Sequence, residues 1–171
     1  MNEPREGDVV VGLGNPIMGD DGIGLAALER LREEWDIPAI VELVDGGTWG
    51  MTLLPLIESA QRVLFLDAIR TGRPTGTAVR LFGDEIPRQA ALKVSQHQID
   101  LREVLAVAEF RGTLPPEMVA VGLEPATFEL GDPMTPAVVD NLDQVVHMAV
   151  HQLRAWGHDC RPRQPVEALR A

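Results

Sequence analysis

Residues 63–66, Val63-Leu64-Phe65-Leu66, form an unbroken apolar run between Arg62 and Asp67. A strand with one wet face alternates apolar and polar residues, so a short continuous run marks a strand covered on both faces. Such strands belong to parallel sheets with helices above and below. Two further segments read the same way. Residues 8–13 are a β-branched run ending in Gly12-Leu13-Gly14-Asn15-Pro16, a strand entering a loop, and 118–123 is another buried strand.

Helical spacing fills the intervals. Over 21–35 the larger apolar residues are Ile23, Ala27, Leu28, Leu31 and Trp35, near a 3.6-residue period, and Pro38 closes the segment. A strand over 39–44 then ends at Asp45-Gly46-Gly47, and Thr48 caps a short helix reaching residue 57. Residues 77–82 read as a strand and 98–110 as a helix. A last helix takes Thr135 as cap and Pro136 at its first position, with an apolar stripe of Val138, Leu142, Val145, Val146, Ala149, Leu153 and Trp156. The alternation predicts a three-layer α/β fold, a mostly parallel twisted sheet with helices on both faces, of phosphorylase/hydrolase-like type. One domain is expected over 1–157, followed by a flexible tail over 158–171.

At 171 residues, one core buries roughly two thirds of the unfolded surface. The net charge of −11 repels polyphosphate, which argues against a nucleic-acid partner. The polar start and the lack of a spanning apolar stretch point to a cytoplasmic protein with no membrane attachment, and a monomer is expected. Cys160 is the only cysteine, so no intrachain disulfide forms, and it reads as a tail residue.

In open parallel sheets, ligands bind beyond the carboxyl ends of the strands. Asp21 follows the first strand, Asp45 ends the second, Asp67 ends the third, and His97 precedes a helix. These four are expected to face one cleft. Two carboxylates and an imidazole suit a borderline cation such as zinc, nickel or iron. Taken singly, each Asp reads rather as a helix or turn cap, and it is their shared location that favours a site. Ser59 and Ser95 stand in no nucleophile-elbow pattern, and no HExxH is present. Gly46-Gly47 reads as a tight loop beside Asp45; Met18, Met51 and Trp49 read as loop packing or peptide contacts. His147 and His151, one helical turn apart, fall on a solvated helix face.

The string Gly12-Leu13-Gly14-Asn15-Pro16-Ile17-Met18-Gly19-Asp20-Asp21-Gly22-Ile23-Gly24 resembles the N-terminal signature of the hydrogenase maturation endopeptidases. Asp45-Gly46-Gly47-Thr48, Asp67-Ala68, His97-Gln98, Val121-Gly122 with Pro125 and Glu129, and Thr135-Pro136 resemble that family's later motifs in order. The resemblance spans about residues 9–156. It implies that Asp21, Asp67 and His97 contact metal; Asp21 stands where many relatives carry Glu, keeping the charge with a shorter reach. It also implies a substrate, the nickel-loaded precursor of a nickel-iron hydrogenase large subunit, from which a C-terminal extension is removed.

Two mechanisms fit. These residues recognise the nickel already in the precursor, or a resident metal activates water. The absence of HExxH favours the first, with Asp21 and Asp67 at the catalytic centre and Asp45 as an accessory acid or base. Three other readings compete with this one. A nickel-sensing chaperone would bind the same substrate without cutting it. Peptidyl-tRNA hydrolases share the Gly-Leu-Gly-Asn-Pro start but place a His where this chain has Met18-Gly19-Asp20-Asp21. A dinucleotide site lacks its third glycine, since Ile17 takes that place, and Asp20-Asp21 would repel a pyrophosphate.

Overall fold

The computed structural model describes residues 7–86 and 101–164. Five strands form one sheet: β1 Asp8–Leu13, β3 Val41–Gly47, β4 Arg62–Ala68, β5 Ala78–Phe82 and β6 Glu117–Leu123. Their spatial order is β3-β1-β4-β6-β5, parallel except for β5, which runs antiparallel to β6 at the edge. All six residues of β1 are buried, as are all but the first of β4 and of β6. The unbroken apolar runs therefore sit centrally, as their patterns require.

Alternation along each strand divides the core in two. Val10, Leu64, Leu66, Val119 and Val121 pack against α1 Ile23–Glu34 and α4 Pro136–Ala155. Val9, Val11, Val63, Phe65 and Ala120 pack on the other face against α2 Leu54–Ser59 and α3 Leu101–Phe110. This is the expected three-layer arrangement. Every residue of the stripe predicted for the last helix is buried, whereas His147 and His151 are exposed.

Boundaries move where backbone bonding outweighs side-chain pattern. The first helix begins as a 3-10 turn at Gly19–Gly22, and Trp35 leaves α1 for a short strand, β2 Trp35–Asp36. β3 starts at Val41, after Val41 N–H bonds Pro38 O at 2.9 Å, and runs on through Asp45 to Gly47. Thr48 makes no cap; a 3-10 turn at Gly50–Leu53 precedes α2.

The expectation of a flexible tail over 158–171 fails for residues 158–164. His158 Nε2 lies 2.5 Å from Asp8 Oδ2, Cys160 is buried, and β7 Arg161–Pro162 pairs antiparallel with β2. These anchors are far away in sequence, so no local periodicity announces them. Residues 165–171 lie outside the described range. Among the described residues, no helix is long and apolar enough to cross a membrane.

The amino-terminal ends of the strands are tied by charge. Asp8, Arg62 and Glu117 stand in register on β1, β4 and β6. Arg62 grips Asp8 with Nε at 2.9 Å and a terminal nitrogen at 2.6 Å, and its guanidinium covers the Trp156 ring at 5.0 Å. Trp156 Nε1 in turn donates to Glu117 at 2.7 Å. Burial alone would raise the Asp8 pKa, but hydrogen bonds and charge from Arg62 and His158 outweigh it and hold the carboxyl below its ordinary 3.8. A carboxyl whose pKa is depressed on folding stabilises the fold above its unfolded value, and that contribution disappears as pH falls through the folded value. Asp8→Asn is thus expected to lower unfolding free energy at neutral pH by about 1–3 kcal/mol. In urea titrations the gap from the parent protein should narrow below about pH 4; a gap unchanged down to about pH 3 would contradict this account.

Candidate active site at the carboxyl edge of the sheet

The opposite edge holds the predicted residues. Strand order reverses at β1, because the chain passes from β1 out to β3 and returns past β1 to β4. Such a switch point opens a crevice between neighbouring strand ends. α1 closes tightly over this seam: a Cβ on Gly24 would stand 2.1 Å from Leu66 O and 2.3 Å from Leu13 O. Only glycine fits there.

The Asp20-Asp21 pair splits into two roles. Asp20 is fully buried and accepts from Ala126 N–H at 2.7 Å, Thr127 N–H at 3.3 Å, Thr135 N–H at 2.7 Å and the Thr135 hydroxyl at 3.2 Å. Its carboxylate holds the loop after β6 against the turn after β1. Two backbone bonds complete the seam, Asp20 N–H to Thr127 O at 3.0 Å and Gly19 N–H to Asp132 O at 3.2 Å. Thr135, expected to cap α4 with its side chain, makes no cap bond and spends its hydroxyl on Asp20.

Asp21 is only partly buried. Asn15 N–H donates to its Oδ2 at 2.8 Å, which fixes the carboxylate's orientation. Its backbone lies on Gly14, whose φ of +114° and a virtual Cβ only 1.8 Å from Asp21 O exclude any side chain there. Gly14 N–H bonds Gly47 O at 2.9 Å, so the ends of β1 and β3 and the Asp21 turn form one unit.

Asp67 is the penultimate residue of β4, in register with Gly122 of β6. It is 8% exposed, and its Oδ1 accepts Ala68 N–H at 2.8 Å. The carboxylate borders a small apolar hollow lined by Phe65, Ile69, Leu81, Ile86 and Leu101. Asp45 pairs with Gly12 across β3 and β1. It is exposed and shares pleat parity with Val41 and Leu43, which pack in the α1/α4 core. Asp67 shares parity with Val63 and Phe65 of the other core. The edge therefore gathers Asp21, Asp45 and Asp67, but Asp45 falls on the opposite side of the pleat from Asp67. Two strand spacings, about 10 Å, separate their backbones. His97 lies outside the described residues. Among those described, no three of His, Cys, Asp and Glu are grouped closely enough to hold a metal ion.

Glu124 escaped the sequence reading. Almost wholly buried, it accepts Thr71 N–H and the Thr71 hydroxyl, both at 2.7 Å, and Gly72 N–H at 3.1 Å. Burial would raise its pKa, yet these bonds dominate and lower it. It anchors the loop after β4 as Asp20 anchors the loop after β6. No spacing rule marks either residue, because their partners are backbone amides remote in sequence. Burial of Cys160 pushes its thiol pKa up, despite the nearby Arg154 charge, which disfavours the thiolate.

The family model described as hydrogenase maturation protease matches residues 25–152. The chain is 38% identical over 151 residues to the hydrogenase expression/formation protein HupD of Rhodobacter capsulatus, covering 87% of this chain and 72% of that one. It is 31% identical over 159 residues to the hydrogenase 2 maturation protease of Escherichia coli K12, covering 92% and 97%. The solved structure of the hydrogenase maturating endopeptidase HybD from E. coli superposes with a TM-score of 0.85 at 32% identity, over 92% of this chain and 98% of that one.

The division of the acidic pair is directly testable. Asp20→Ala strands four donors and is expected to cost about 2–5 kcal/mol in urea unfolding. Asp21→Asn should cost less than about 1 kcal/mol. Equal costs would contradict the assignment.

Proposed function

The chain belongs to the hydrogenase maturation protease family, and from that premise we propose that it cuts a C-terminal extension from the nickel-loaded precursor of a nickel-iron hydrogenase large subunit. The observation that carries the reading is the placement of Asp21 and Asp67 on either side of the β1/β4 seam. Each has one oxygen fixed by a backbone amide. Carboxylates held in this way meet a cation without first losing side-chain entropy.

Nickel enters as part of the substrate. Oxygen donors from Asp21 and Asp67 with an imidazole from His97 suit a borderline divalent ion. An unloaded precursor offers nothing for them to hold, so the same contacts discriminate maturation state. Once the substrate is seated, peptide hydrolysis needs a base to take a proton from water and an acid to return it to the leaving nitrogen. Exposed Asp45 is proposed for that exchange. Ile17, Trp49 and Leu130, on loops of this same edge, are 59%, 57% and 72% exposed and supply apolar contacts for a peptide.

A serine or cysteine mechanism finds no support among the described residues. Ser59 donates its hydroxyl to Leu56 O at 3.0 Å at the end of α2, and Cys160 is buried in the segment that packs against β2.

Incubation with nickel-loaded precursor is expected to release a short C-terminal peptide, seen as a mass loss, whereas nickel-free precursor stays intact. Asp21→Asn, Asp67→Asn and His97→Ala should each slow cleavage by about 10- to 100-fold or more. Unchanged mass of the loaded precursor would overturn the protease reading. Cleavage of both forms would overturn nickel recognition.

A further inference from the structure

Between Asp67 and Asp84 the chain carries Arg70, Arg73 and Arg80 and no acidic residue, although its net charge is −11. The first of these follows the site carboxylate by three residues. Its backbone is clamped on both sides: Ile69 N–H bonds Leu123 O at 3.0 Å, and Thr71 and Gly72 are held by buried Glu124. The Arg70 guanidinium lies 4.9 Å from the centre of the Phe128 ring. Phe128 belongs to the loop that Asp20 fixes through Ala126 and Thr127. Arg70 thus stands where the loops after β1, β4 and β6 converge.

Its hydrogen bonding is incomplete. Arg70 Nε is buried with no acceptor, and no carboxylate among the described residues pairs with this side chain. By contrast Arg62, Arg111, Arg161 and Arg163 each hold one. A buried guanidinium N–H left without an acceptor is costly and rare in native structures. Arg80 Nε shares that condition, but Arg80 sits in mid-strand on β5 opposite Val121, inward from the edge. Among the described residues, only Arg70 combines the orphaned donor, an aromatic shelf and a position at the site. Arg70 as a whole is only partly buried, so the terminal nitrogens of its planar guanidinium can take a carboxylate with two parallel bonds, and stacking on Phe128 limits the freedom lost when they do so.

We infer that Arg70 is a substrate-binding residue that receives a carboxylate of the precursor's C-terminal extension. The inference rests on the proposed reading of the chain as the endopeptidase that removes this extension. Every such extension carries at least its own α-carboxylate, and acidic side chains would add others. A cation standing beside Asp21, Asp45 and Asp67 is the group on this edge that draws such a carboxylate in.

The test uses nickel-loaded precursor and full-length enzyme, with KM and kcat measured separately. Arg70→Gln is expected to raise KM at least tenfold with kcat changed less than threefold, and Arg70→Lys, which keeps charge but loses the fork, to fall between. Two substrate series locate the carboxylate. One neutralises each Asp or Glu of the extension to Asn or Gln; the other adds three glycines at the end, moving the α-carboxylate. The substrate change that raises KM for the parent enzyme should add no further loss in Arg70→Gln. Thermal unfolding checks that the variants are folded, and Arg70→Lys carries the comparison if Arg70→Gln is not. An unchanged KM in the folded variants, or losses that add on every substrate, would overturn the assignment. Failure of the parent enzyme to cut any loaded precursor would instead overturn the protease reading on which it rests.

Discussion

The buried carboxylate of Asp20 is the interaction on which the candidate site depends. With no exposure to water it would be strongly destabilising unless fully bonded, and it takes three amides and one hydroxyl from the loop that joins β6 to α4. Through it the turn after β1 and the loop after β6 become one body. Asp21 sits next to that lock and inherits its position from it. Phe128, the shelf under Arg70, is held by the same loop. Glu124 performs the corresponding task for residues 71 and 72, so the loops bordering the seam are both fixed by buried carboxyl groups.

The two edges of the sheet are used differently. Parallel strands align all their amino ends on one side and their carboxyl ends on the other. At the amino edge, Asp8, Arg62, His158, Trp156 and Glu117 satisfy one another across three strands and the end of α4. That network closes the fold where the chain's final described turn returns to β1. At the carboxyl edge Asp21, Asp45 and Asp67 come from three different strand ends, beside Arg70 on the loop after β4, an arrangement that suits a surface receiving a cation-bearing substrate.

Much of this architecture is legible in the sequence, because it rests on periodicity. The run Val63–Leu66 is apolar on both pleat faces and so lies centrally, and the Val138-to-Trp156 stripe predicts the buried face of α4 residue by residue. Strand ends place Asp21, Asp45 and Asp67 at one edge for the same reason. What periodicity misses is long-range bonding. Neighbouring aspartates in Gly19-Asp20-Asp21-Gly22 look alike until one of them meets Ala126 and Thr135. His158 and Cys160 look like tail until Asp8 and β2 engage that segment. Asp45 was expected to share a cleft with Asp67, but the extension of β3 to Gly47 sets its side chain by pleat parity, on the other face.

The central claim is that the carboxyl edge of the sheet recognises the metal carried by the precursor. The most direct measurement is the equilibrium affinity of the protein for loaded and for nickel-free precursor, both made uncleavable by substitution at the scissile bond, by calorimetry, in the parent chain and in Asp21→Asn and Asp67→Asn. The account predicts at least about tenfold tighter binding of the loaded form, a difference of about 1.4 kcal/mol, which disappears in both variants. Equal affinities for the two precursors in the parent chain, or a preference that survives both substitutions, would contradict it.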